Sequence, residues 1–141
     1  KEVKKMSDEF KFYELPNNNV GGAIIPISQT PMPLAALTIN TASNVVITIR
    51  PTLGWQSLTE PTTVVFKVWR GAPTTGTLVA SAEESGESGF DRYRVTSFSH
   101  VDSGFASSQP VTYVITAETV GSGTRANIIG PVTFTVLSNE V

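Results

Sequence analysis

From Leu34 to Leu137 apolar and polar residues alternate with a period of two, in runs of strand length. Val45, Ile47 and Ile49 oppose Val46, Thr48 and Arg50. Val64, Phe66 and Val68 oppose Val65, Lys67 and Trp69, and Val132, Phe134 and Val136 oppose Thr133 and Thr135. A strand with one face in a core produces this pattern, so the first-named set of each run is the predicted core. Between Val111 and Glu118 the inward set is Val111, Tyr113, Ile115 and Ala117, with Thr112 and Thr116 outward. Clusters of Gly, Pro, Ser and Asn separate the runs, and Thr and Val fill them. The pattern predicts strands over Ala23–Ile27, Leu34–Asn40, Asn44–Arg50, Thr62–Arg70, Thr77–Ala82, Asp91–His100, Val111–Glu118 and Ala126–Leu137. About eight short antiparallel strands in one domain predict an all-β fold, an antiparallel β-sandwich, jelly-roll-like ahead of immunoglobulin-like.

Two places break the pattern. Gly130-Pro131 interrupts the last run, and because proline offers no N–H to a ladder it marks a bend, a bulge or an edge. The first fifteen residues, KEVKKMSDEFKFYEL, are rich in charge and hold few β-branched residues, which sets them apart as an arm. Val3, Met6, Phe10 and Tyr13 share a helical face, but Phe10 to Leu15 also reads as a short extended segment, the reading favoured here. Pro16-Asn17-Asn18-Asn19 is a turn or linker and Gly21-Gly22 a joint. Pro26, Pro31 and Pro33 then exclude a long helix. The chain therefore divides into a connector arm (1–22), a Pro-rich linker or edge strand (23–33) and a β-sandwich domain (34–141).

Composition narrows the functional classes. A chain of 141 residues suffices for one domain with a core of its own. With no cysteine there are neither disulfides nor thiolate metal sites. A net charge of −2 argues against nucleic acid or an anionic membrane as partner, since both demand a concentrated basic face. No apolar run is long enough to span a bilayer, and no signal-peptide pattern is present. Lys1 is not an initiator, so the expectation is either processing or a start at Met6 with residues added ahead of it.

A search for chemistry predicts no catalytic residue, no metal site and no cofactor. His100 lies beside Ser99 and two residues before Asp102, but neighbours on one strand do not converge as a nucleophile, base and orienting acid must. Gly121-Ser122-Gly123-Thr124-Arg125-Ala126 matches a dinucleotide fingerprint in letters only, because a strand follows where a helix N-terminus is needed; a hairpin turn explains both glycines. Glu83, Glu84, Glu87 and Asp91 crowd one segment but lack a calcium-loop spacing and read as a solvated acidic turn. Trp55, Trp69 and Tyr93 in combination offer a sugar-stacking platform, the basis of an alternative reading as an adhesin or carbohydrate-binding tip domain; core or interface packing is the reading favoured here, because Trp69 sits in the middle of a strand-like run.

Glu87-Ser88-Gly89-Phe90, Tyr93, Phe98, Asp102, Tyr113 and Ala126-Asn127-Ile128-Ile129-Gly130-Pro131-Val132-Thr133-Phe134, together with Trp69-Arg70-Gly71 after a V-x-F-x-V strand, resemble exosporium protein C and related spore-surface proteins of Bacillus. The likeness spans roughly Phe66 to Leu137. It implies a non-enzymatic structural protein of the outermost endospore layer, located on the spore surface and partnered by itself and by other spore-surface proteins. The N-terminal third departs from that family and resembles instead the connector peptides of spore appendage fibres and, more distantly, pilins.

The arm supplies a mechanism for such a role. Residues 1–33 fully extended reach on the order of 100 Å, against about 35 Å for the domain they precede. An arm of that length can add a strand to a neighbour's sheet edge, with Phe10, Phe12, Tyr13, Leu15 and Val20 as the predicted subunit-interface residues. Such contacts run head to tail and grow as fibres when they do not close. The alternatives are an arm folded back along its own sheet edge, or a disordered one.

Overall fold

The computed structural model describes residues 9–15, 24–59, 61–87 and 93–141. Among them the chain forms ten strands and no helix. These are β1 (Glu9–Leu15), β2 (Ile25–Ile27), β3 (Met32–Thr41), β4 (Val45–Ser57), β5 (Thr62–Arg70), β6 (Thr77–Gly86), β7 (Tyr93–Ser97), β8 (His100–Asp102), β9 (Gln109–Val120) and β10 (Ala126–Glu140). They build two antiparallel sheets. In one, β10 and β4 are central, with β1 and β2 along the far side of β10 and β7 and β8 along the far side of β4; the other runs β3-β9-β5-β6. From β2 onward the chain passes back and forth between the sheets, which is jelly-roll topology.

The core is the sum of the inward faces, as the alternation predicts. Val45, Ile47 and Ile49 of β4, Val64, Phe66 and Val68 of β5, Val111, Tyr113, Ile115 and Ala117 of β9, and Val132, Phe134 and Val136 of β10 are all buried. Gly130-Pro131 proves to be a bulge in an inner strand: the β10–β4 register shifts between Ile128 and Val132, and Gly130 takes a φ of 80°. Gly54 of β4 lies against this bulge so closely that a Cβ there would stand 2.1 Å from the Gly130 carbonyl oxygen.

Most strands differ from their predicted bounds by a few residues, Thr77–Ala82 extending to Gly86, and two differ further for one shared reason. The run predicted to end at Arg50 continues through Pro51 to Ser57, and the single strand predicted over Asp91–His100 is two strands, β7 and β8, with Phe98 and Ser99 between them; Asp91 itself lies outside the described residues. On β4, Ile49 pairs with His100 and Thr52 with Ser97, so Pro51 faces the interruption. Its carbonyl accepts from the Phe98 N–H at 3.3 Å, and the N–H it lacks would have been needed on that same side. A proline is tolerated inside the sheet because the neighbouring strand breaks beside it.

Candidate assembly edge

Beyond β10 a single strand position is filled in two pieces. β1 pairs antiparallel with the later half of β10, from Glu9 opposite Ser138 to Leu15 opposite Val132. β2 pairs antiparallel with its first residues, from Ile25 opposite Ile128 to Ile27 opposite Ala126. Both pieces run the same way and abut at the Gly130-Pro131 bulge. Of the predicted interface residues, Phe10 lies in register with Leu137, Phe12 with Thr135, Tyr13 with Phe134 and Leu15 with Val132; Val20 lies outside the described residues. In the single chain the arm is thus an extended strand on its own sheet, the fold-back geometry among the three alternatives.

Among the described residues, β7 and β8 form the opposite edge of the same sheet. Tyr93, Val95 and Val101 on β7 and β8 are 53%, 60% and 56% exposed, so large side chains face solvent at this edge.

One polar cluster of the interior ties the two sheets together. Asp102 at the end of β8 receives a hydrogen bond from Arg70 Nε at 3.0 Å, a second from Nη2 of the same guanidinium, one from the Tyr113 hydroxyl at 2.6 Å and one from the Ser103 N–H at 3.1 Å. Arg70 also sits over the Phe105 ring, 5.2 Å from its centre. Hydrogen bonding to Asp102 raises the Arg70 pKa further, and burial followed by the bond to Asp102 pushes the Tyr113 hydroxyl far above the ordinary tyrosine range. The residue two positions after His100 therefore serves a cross-sheet tie and not a histidine. Alternation points Tyr113 inward, and a buried hydroxyl requires a partner, but no signal in the chain names Asp102 as that partner.

The aromatic platform does not form. Trp55 is fully buried and its indole N–H donates to Thr96 Oγ1 at 2.9 Å, while Thr96 in turn donates to Glu84. Trp69 lies on the outward face of the other sheet, yet it is buried, donating to Thr116 Oγ1 at 3.0 Å with Lys67 over its ring. Thr116, outward by alternation, is likewise fully buried. Of the three aromatics only Tyr93 is exposed, which removes the stacking surface on which the carbohydrate-binding reading rested.

The other candidates resolve in the same direction. Glu83 and Glu84 do not lie in an acidic turn as expected but in β6, which runs on to Gly86, and the described residues contain no group of three acidic or histidine side chains placed to hold a metal. Gly121 and Gly123 have φ of 105° and 74° in the turn from β9 to β10, and Ala126 begins a strand. That geometry excludes the dinucleotide fingerprint.

No family model matches the chain, and no curated protein matches it. Solved structures do. A T=1 particle derived from infectious bursal virus matches 95% of this chain with a TM-score of 0.55 at 10% identity. The VP2 subviral particle of infectious bursal disease virus matches 95% with a TM-score of 0.53 at 14% identity. An IBDV viral particle gives 95%, 0.55 and 11%. The chain spans only 36–38% of the length of these proteins. At such identities the likeness is one of fold: a jelly-roll sandwich shared with domains of viral particle proteins.

Proposed function

We propose that the chain is a non-enzymatic structural subunit that associates with copies of itself through its N-terminal arm, head to tail, in a fibre or layer of the spore surface. The observation that carries this reading is β1, a seven-residue segment bound along a sheet edge by its backbone register. A strand held at an edge through its ladder is the element that β-strand addition uses to join subunits. The shared fold with proteins of assembled viral particles supports a subunit role, and the ESGF and GPVTF likeness supports the spore surface. With no cysteine for cross-links, cohesion rests on many non-covalent contacts.

Negative-stain electron microscopy of the full-length chain, beside a full-length variant carrying Phe12→Pro and Tyr13→Pro, tests the reading. Whichever of these consecutive residues turns its N–H toward β10 loses it. Filaments or sheets with the unaltered chain and discrete particles with the variant are expected. Discrete particles in both samples overturn assembly through the arm.

A further inference from the structure

Resting on the reading of the chain as an arm-joined subunit, we propose which surface receives the arm: the β10 edge from Val132 to Ser138 of a neighbouring copy, in the register that β1 takes on its own β10. The joint is then an exchange of half a strand. β2 stays with its own sandwich, and β1 completes the next.

The geometry of the divided strand position carries this. On β10 only residues 129–131 separate the part covered by β2 from the part covered by β1, whereas nine residues, 16–24, join the two pieces. A continuous strand would use three. Pairing on the same copy asks the connection from Leu15 to Ile25 to follow four residue steps of β10, about 13 Å. Ten backbone steps can extend to about 33 Å. The surplus lets β1 depart while β2 remains in place. Its composition, Pro-Asn-Asn-Asn with Gly-Gly after Val20, has neither the apolar alternation of a strand nor the apolar period of a helix.

Departure also creates a vacancy that only a matching strand fills. Val132, Phe134 and Val136 are at most 1% exposed, and β10 is paired with β4 on its other side, so loss of β1 strips seven ladder positions from an otherwise buried inner strand. Another copy's residues 9–15 restore every one of them. Because cis and trans pairings are chemically identical, the balance is set by the tether and by concentration, the condition under which segment exchange is a low-cost route to assembly. Each copy gives one strand and accepts one at a different place, so the contact propagates.

A chain without cysteine makes a direct test possible. Full-length Phe12→Cys and Thr135→Cys proteins, register-opposed across the joint, are mixed, assembled and treated with a short bis-maleimide; a second mixture pairs Phe12→Cys with Val95→Cys on the opposite edge. Exchange at β10 shifts roughly half of the Phe12→Cys chains to heterodimer mass in the first mixture only, since in an equimolar polymer an arm meets either kind of copy equally often. Heterodimers in the second mixture alone overturn the β10 assignment and leave arm-mediated assembly standing. Polymers with cross-linking confined to single chains carrying both Phe12→Cys and Thr135→Cys overturn the exchange and the arm-joined reading together, and absence of polymers overturns that reading at its root.

Discussion

The Tyr113 hydroxyl donates to Asp102 Oδ2 at 2.6 Å, joining β9 of one sheet to β8 of the other. The same carboxylate holds Arg70 from the end of β5, so three strands converge on one side chain that is 7% exposed. A buried carboxylate is tolerable only when its lone pairs are filled, and here two side chains and a backbone N–H fill them. Their removal is therefore more damaging than their presence is stabilising.

Asp102→Ala is expected to cost about 3 kcal/mol, the low end for breaking a buried ion pair because Arg70 is one-third exposed and regains water. Tyr113→Phe, which takes away one hydrogen bond to a charged group, is expected to cost about 1.5–3 kcal/mol. Urea unfolding followed by tryptophan fluorescence measures both, and equal midpoints for the variants and the unaltered chain would refute the tie.

Alkaline stability follows from the same tyrosine. Its pKa is raised in the folded chain, first by burial and then by its bond to Asp102, above the value near 10 of an unfolded tyrosine. The folded state thus binds this proton more tightly, so the contribution is complete below about pH 10 and is lost as pH rises beyond it, at up to about 1.4 kcal/mol per pH unit. Denaturation midpoints measured between pH 9 and 11 should fall more steeply for the unaltered chain than for Tyr113→Phe. Parallel curves would contradict the assignment.

Gly54 and Gly104 separate crowding from backbone conformation. A Cβ at Gly54 would meet the Gly130 carbonyl oxygen at 2.1 Å, and a backbone obstacle cannot rotate away. Gly54→Ala is therefore expected to cost about 3 kcal/mol or more, through displacement of the bulge. At Gly104, where φ is 86° and no atom lies within 4 Å of an added Cβ, Gly104→Ala should cost only about 1 kcal/mol. Thermal unfolding of the pair should rank them in that order.

Phe134 marks the orientation of β10. Its side chain is fully buried between the sheets, so Phe134→Asp should prevent folding by leaving an unpaired charge in the core, and Phe134→Ala should cost about 3–5 kcal/mol. On the other face, Thr133→Asp at a half-buried position should leave a folded protein. Circular dichroism distinguishes the outcomes, and a folded Phe134→Asp protein would show the faces to be reversed.

Much of this architecture was legible in the chain, because the information is local. Alternation between Val132 and Val136, or between Val64 and Val68, reports which face is apolar regardless of what packs against it, and the sum of such faces implies two sheets. Turn glycines such as Gly121 and Gly123 are equally local, since their positive φ is a property of single residues. Only the tertiary structure decided the pairing. That Pro51 could sit inside a strand depended on β7 and β8 parting beside it, and that Trp69 on an outward face could be buried depended on Thr116, 47 residues away. Arg70, Asp102 and Tyr113 meet through three different strands, and β1 finds β10 across almost the whole length of the chain. Period-two patterning states that a strand has an inside; which strand lies beside it is fixed by register and by packing between distant segments, and no single run of residues contains that information.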